Sequence, residues 1–146
     1  MQTAEWSDLL SLDFEPMDAV HREFIELLAK AQQAGDSAIA NSWQAVIDHT
    51  ESHFAREDQW MRQSHFATAD NHMLQHRVVL KVMREGLGYA QAGQYAAVRE
   101  MANELANWFV KHTQSLDAAL ALHMRRESEF EASQGLRQNI QKPSLP

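Results

Sequence analysis

The chain has no cysteine in its 146 residues, which excludes both a disulfide framework and any thiolate metal site. Proline and glycine are scarce, three and five residues, so few points interrupt the chain and long elements are favoured. No apolar run approaches the roughly 18 residues that a membrane-spanning helix needs. Positive charge is in deficit: 13 Lys and Arg stand against 20 Asp and Glu, for a net charge of −7. With a pI near 5.5, the chain lacks the basic face on which nucleic-acid binding depends. The opening Met-Gln-Thr-Ala-Glu-Trp-Ser-Asp has neither the basic stretch nor the apolar core of a secretory signal, so the cytoplasm is the expected compartment. A chain of this length is expected to form one domain with a sizeable core.

What the chain does have is helical periodicity and eight histidines. Residues 1–17 read as an extended arm carrying Trp6, Leu9, Leu10, Leu12 and Phe14, packed along the domain. Asp18 is the expected N-cap of a first helix that runs to Ala34 with Val20, His21, Phe24, Ile25, Leu28 and Ala31 inward. A second helix, Asn41 to Gln63, turns Trp43, Val46, Ile47, Thr50, His53, Phe54, Glu57, Trp60 and Met61 inward. A third, Ala69 to Ala90, presents His72, Met73, His76, Val79, Leu80, Met83 and Leu87. A fourth, Gln94 to Met124, presents Tyr95, Val98, Met101, Leu105, Trp108, Phe109 and His112. Short connections make neighbours antiparallel, so residues 1–124 are expected to form an all-α, up-down-up-down four-helix bundle. From Arg125 the chain turns polar, and 125–146 is expected to be a loose C-terminal tail.

Two motifs carry chemistry. His53 and Glu57 form an H-x-x-x-E pair, and His72 and His76 an H-x-x-x-H pair. Residues four apart lie on nearly one helix face, so each pair can aim two metal-ligating groups inward. Imidazole with carboxylate suits iron, zinc or manganese. In the expected bundle, the start of the first and third helices and the end of the second and fourth share one end. His21, His53, Glu57, His72, His76, His112 and Asp117 therefore reach one level of the bundle. A lone histidine on an apolar face is usually core, but a set of five converging with two carboxylates is not. Burying Glu57 and Asp117 without a cation would be costly. Asp117 falls about 140° round from His112 on a regular helix. The apolar phase also slips by one position, to Leu120 and Met124. A π-type turn between His112 and Asp117 is expected from this. His49 extends the line of His53 and Glu57 by a turn, further from the common level, and is expected beside the site or partly exposed. His65 and His123 are expected in solvent, and Met61, Met73, Met83 and Met101 in the core.

These residues resemble the hemerythrin family, in particular its bacterial single-domain members. The resemblance is carried by Trp6-Ser7-Asp8, Met17-Asp18-Ala19-Val20-His21, His53-Phe54-Ala55-Arg56-Glu57, His72-x-x-x-His76, Trp108-Phe109-Val110-Lys111-His112 and Asp117. It covers roughly residues 5–124, and no ligand position departs from the pattern. The fold it implies is that of the related myohemerythrin, itself an up-down-up-down bundle. It further implies one iron held by His72, His76 and His112 and a second held by His21 and His53. Glu57 and Asp117 would bridge the two irons, with a solvent-derived hydroxide or oxo group as third bridge. If each iron takes six ligands, about twelve positions exist, and these groups fill all but one. The vacancy falls on the iron with two histidines and is where dioxygen would bind. Phe24, Ile25, Phe54, Trp108 and Phe109 flank the ligands and are expected to line a dry pocket.

The function so implied is reversible dioxygen binding, for storage, delivery or sensing, by a carrier and not an enzyme. The competing class is a di-iron redox enzyme, a peroxidase, an oxidase or a nitric-oxide-handling protein. Ferritin-like oxidases use carboxylate-rich sites with Glu-x-x-His pairs, and the sequence contains no Glu-x-x-His. No protein partner can be named from the sequence.

Overall fold

A computed structural model describes the backbone of residues 3–141 and the side chains as far as residue 135. The elements are a 3-10 turn at Asp8–Leu10, then α1 (Glu15–Gln33), α2 (Ile39–Gln63), α3 (Ala69–Gln91) and α4 (Tyr95–His112). A π-helical turn, Thr113–Asp117, then joins α4 to α5 (Ala118–Gln141) without a break. There is no strand among the described residues. Each of α1 to α4 packs on its sequence neighbours, and α1 and α4 close the ring. The connections are too short to allow anything but reversal. The protein is an all-α four-helix bundle with an N-terminal arm.

The helices form where apolar residues recur at three-to-four spacing. The buried face of α2 reads Trp43, Val46, Ile47, Thr50, His53, Phe54, Glu57, Met61, one stripe facing the bundle axis. Trp60, expected in that stripe, is half-buried at its edge, with Phe14 edge-on at 5.8 Å and the Arg56 guanidinium over its ring. At the far end of the bundle the Trp43 indole N–H donates to the Met83 carbonyl at 2.8 Å. The approach is possible because Gly86 has no Cβ: one placed there would meet Trp43 Nε1 at 3.0 Å and collide with Met101 Sδ.

Two boundaries differ from the sequence expectation, and one irregularity agrees with it. First, α1 begins at Glu15, with Pro16 in its first turn. Proline's missing N–H is no loss there and its φ suits the helix. Asp18 consequently lies inside the helix and is not its cap. It is buried, and its carboxylate accepts the Leu12 N–H at 2.9 Å and the Ser11 hydroxyl at 3.1 Å. Asp18 fastens the arm to the bundle. Second, the helix expected to end at Met124 continues to Gln141. Residues 125–135 include two Arg and three Glu, good helix formers that need no buried face to propagate an existing helix. The loose tail expected from Arg125 is therefore helical through Gln141, and the closing Lys-Pro-Ser-Leu-Pro lies outside the described residues. The π-helical turn at Thr113–Asp117 lies where the phase of the apolar residues predicts it, between His112 and Asp117.

Two apolar cores result. The larger holds Phe24, Ile25, Leu28, Trp43, Val46, Ile47, Met83, Val98, Leu105 and Phe109. The smaller joins Leu12, Met17, Met61, Leu120 and Ala121. Between them each of α1 to α4 carries a polar side chain inward.

Candidate metal centre

The polar layer between the cores contains His21 from α1, His53 and Glu57 from α2, His72 and His76 from α3, His112 from α4 and Asp117 from the π-helical turn. All seven are buried. The structure thus brings together the whole set that the sequence places at one level. The i, i+4 pairs on α2 and α3 put two groups each on the inward face. The π-helical turn does the same for His112 and Asp117, which are five apart: its wider winding returns Asp117 to the face of His112.

The donor atoms divide into two nests. One consists of His21, His53, Glu57 and Asp117, the other of His72, His76, His112, Glu57 and Asp117, each with its ligand atoms within 4.8 Å of one another. Both carboxylates belong to both nests, and each turns one oxygen to each side. Glu57 Oε2 contacts His53 and lies 3.6 Å from His21 Nε2, while Oε1 lies 3.4 Å from Nε2 of both His72 and His76. Asp117 Oδ2 lies 3.3 Å from His21 Nε2, while Oδ1 lies 3.1 Å from His72 and 3.2 Å from His112. Nε2 of His21 and His53 are 3.2 Å apart, as are Nε2 of His72 and His112.

This donor set fits a pair of cations. Nitrogen and oxygen donors about 2.1 Å from a first-row ion, at right angles, stand about 3 Å apart, close to the spacings here. Glu57 Oε1, both Asp117 oxygens and His76 Nε2 are buried with no hydrogen-bond partner among the described residues. Leaving such groups unpaired is unfavourable unless a cation occupies the space between them.

The electrostatics express the same demand. Burial alone would push the His21 and His72 rings down, yet the adjacent Asp117 and Glu57 carboxylates hold both up at about 9. Burial likewise opposes ionisation of Glu57, but His53, His21 and His72 hold its carboxyl well below the usual range. Asp117 is also held below that range, against burial and the charge of Glu57, by His112, His21 and His72. Without metal, the site recruits protons onto its own rings to balance two buried negative charges.

Aromatic rings enclose the layer. Phe54 stacks on His76 at 3.9 Å and Trp108 on His112 at 4.4 Å. Phe109 meets His21 edge-on at 5.2 Å and lies 4.5 Å from Phe24. Ile25 packs in the same core and, with Leu28, Phe109 and Trp6 of the arm, borders a cavity of about 650 Å³. His49 belongs to neither nest, and its Nε2 instead lies 3.1 Å from Glu23 near the surface. His65 is exposed, whereas His123, expected in solvent, is half-buried against Phe66 with Nε2 3.3 Å from the Ser64 carbonyl oxygen. Sequence reasoning passed over Asp58 and Gln75, which lie 2.7 Å and 3.4 Å from Nδ1 of His76 and His112. The available signal was that a ligating histidine needs an acceptor for its outer N–H, and Asp58 directly follows Glu57.

Residues 13–129 match the model of one protein family, described as "Hemerythrin HHE cation binding domain". Among curated proteins, a bacteriohemerythrin of Ralstonia nicotianae is 34% identical over 117 residues, covering 80% of this chain and 85% of the relative. A bacteriohemerythrin of Stenotrophomonas maltophilia is 30% identical over 120 residues, covering 80% and 78%. One of Pseudomonas aeruginosa is 28% identical over 117 residues, covering 77% and 76%.

Proposed function

The chain belongs to the hemerythrin family, and on that premise we propose that it binds dioxygen reversibly at a non-haem di-iron centre, for storage, delivery or sensing. His72, His76 and His112 would hold one iron, His21 and His53 the other. Glu57 and Asp117 would bridge them, with a hydroxide or oxo group as third bridge. When bound, the two irons supply the electrons that dioxygen takes up and gives back.

The observation that carries this reading is the inequality of the two nests. They share both carboxylates, but one has three rings and the other two. A centre completed equally on both sides would have no place for an outside molecule. A centre short of one ring has such a place, on the side of His21 and His53. Around it the chain supplies exclusion of water in place of acid–base chemistry. Phe24 and Phe109 cover the two-ring side, Phe54 and Trp108 the three-ring side. A dry pocket suppresses the side reactions that would end reversibility. Outside the seven, Asp58 is bonded to His76, and His49 pairs with Glu23 toward the surface. None is placed as a free acid or base inside the layer, which favours a carrier over a catalyst. No helix among the described residues is long and apolar enough to cross a membrane, and we place the protein in the cytoplasm on its composition.

The test is to load the protein with iron anaerobically, count the metal and cycle dioxygen. Two irons per chain and a visible band that appears with dioxygen and vanishes on its removal support carriage. Rapid conversion to a stable oxidised form would indicate a redox enzyme instead, and zinc in purified protein without iron would indicate a structural site.

A further inference from the structure

The five rings of the layer differ at the nitrogen that faces away from it. His76 Nδ1 lies 2.7 Å from Asp58 Oδ1. His112 Nδ1 lies 3.4 Å from the amide oxygen of Gln75, a longer contact with a neutral partner. Nδ1 of His21, His53 and His72 is buried with no hydrogen-bond partner among the described residues. One ring of the five is thus backed closely by a carboxylate, and it belongs to the three-ring nest. Resting on the di-iron reading, the geometry points to Asp58 as a positioning residue that acts through His76: it fixes the ring's tautomer and makes Nε2 a stronger donor toward the metal on that side.

An ionised carboxylate only accepts hydrogen bonds, so the ring must donate from Nδ1. A neutral imidazole protonated at Nδ1 keeps its lone pair on Nε2. That Nε2 is buried without a hydrogen-bond partner, 3.4 Å from Glu57 Oε1, and so faces the nest. The carboxylate draws the Nδ1 proton toward itself and raises the basicity of the opposite nitrogen. Phe54 stacks on the same ring at 3.9 Å and 7°. The stack holds the plane of the ring, while Asp58 decides which nitrogen carries the proton. The bond also crosses between helices, since Asp58 is on α2 and His76 on α3. Asp58 itself belongs to neither nest, and its side chain is 18% exposed, so the space its replacement opens is within reach of water.

The consequence is a built-in inequality. A more basic donor set favours the higher oxidation state of the ion it holds, so Asp58 lowers the reduction potential of the three-ring side. The two-ring side, where a place is open, keeps rings without outer partners. The site is thereby divided into an electron-rich half and a ligand-taking half before any ligand arrives.

The experiment compares Asp58→Ala and Asp58→Asn with wild type, and uses Asp58→Glu as the rescue. Nitrogen NMR of the metal-free protein at alkaline pH, where the ring is neutral, should find the His76 proton on Nδ1 in wild type and shared between nitrogens in Asp58→Ala. Chelator competition should find Zn²⁺ bound about 10- to 100-fold more weakly by Asp58→Ala. In the iron-loaded protein the midpoint potential should rise in Asp58→Asn and return toward wild type in Asp58→Glu. An unchanged His76 tautomer, or Zn²⁺ affinity within about threefold of wild type, overturns the proposal. Fewer than two irons per wild-type chain would overturn the di-iron reading instead. The NMR and Zn²⁺ results would then still decide what Asp58 does to His76.

Discussion

Metal uptake should expel protons, and their number follows from the site. In the metal-free protein His21 and His72 titrate near 9, because Asp117 and Glu57 outweigh the effect of burial. Two pH units below its pKa, a ring is about 99% protonated. A cation binds only the neutral imidazole, so both protons must leave. At pH 7 uptake of metal should therefore release at least two protons per chain, one from each ring, and more as His76, whose pKa is also raised, and a bridging water give up theirs. Between about pH 7 and 9 these two rings alone should raise the apparent affinity about a hundredfold per pH unit, a contribution that then levels off.

The same shifts set the stability of the metal-free fold. Each of these rings has a folded pKa above its unfolded value of 6.5. Its stabilisation is fully present below 6.5 and is lost as pH rises through about 9. A rise of about 2.5 units corresponds to about 3 kcal/mol per ring. The carboxyls run the other way: Glu57 and Asp117 are depressed below unfolded values of 4.5 and 3.8. They stabilise above those values and stop doing so as pH falls below them. This is the same attraction viewed from its other partner, so the two contributions do not add. Chelator-treated protein should melt highest between about pH 5 and 6.5 and lose stability on both sides. Calorimetry of metal binding in buffers of different ionisation enthalpy counts the protons, and thermal melts against pH give the second curve. Release of less than about one proton at pH 7, or a metal-free melt that climbs from pH 6.5 to 9, would refute the reasoning.

Other perturbations probe the layer and its frame. Deleting Ser115, exposed on the π-helical turn, should restore a regular helix with the aspartate four residues after His112. The metal count per chain and the melting temperature should then be kept, and loss of one metal would show that the turn sets the carboxylate's reach as well as its phase. Phe54→Ala removes a buried ring stacked on His76. It should cost about 3–5 kcal/mol in denaturant unfolding and admit water, shortening the life of the reversible state in repeated dioxygen cycles. Asp18→Ala leaves the Leu12 N–H without its acceptor. It should cost about 1–3 kcal/mol and make residues 3–12 sensitive to limited proteolysis while the bundle resists.

What could be read from the sequence divides along a physical line. Contacts decided by the period of one helix were legible: the four-residue spacings of His53 with Glu57 and His72 with His76 place each pair on one face whatever the bundle does. The irregular turn before Asp117 was legible for the same reason. A one-residue slip in the phase of Leu120 and Met124 has few remedies, and one extra residue wound into a π-helical turn is the least disruptive. Contacts between elements were legible only where the up-down order of the helices fixes a common level, as for the seven polar groups; lateral contacts were not. Asp18 has the composition of a cap, yet Pro16 lets the helix begin a turn earlier, and only the path of the arm gives its carboxylate to Leu12 and Ser11. Helix continuation past Met124 rests on propensity alone, because residues 125–135 offer little apolar pattern to extend. Asp58 is the sharpest case. It lies about 100° round the helix from Glu57, off the inward stripe, and by spacing it reads as a solvated acid. It reaches Nδ1 of His76 only because α2 and α3 pack closely at that level. Groups that touch the ligands from outside must come from such flanks, since the inward stripe is already spent on the ligands themselves. Periodicity therefore finds a buried polar layer and passes over what tunes it.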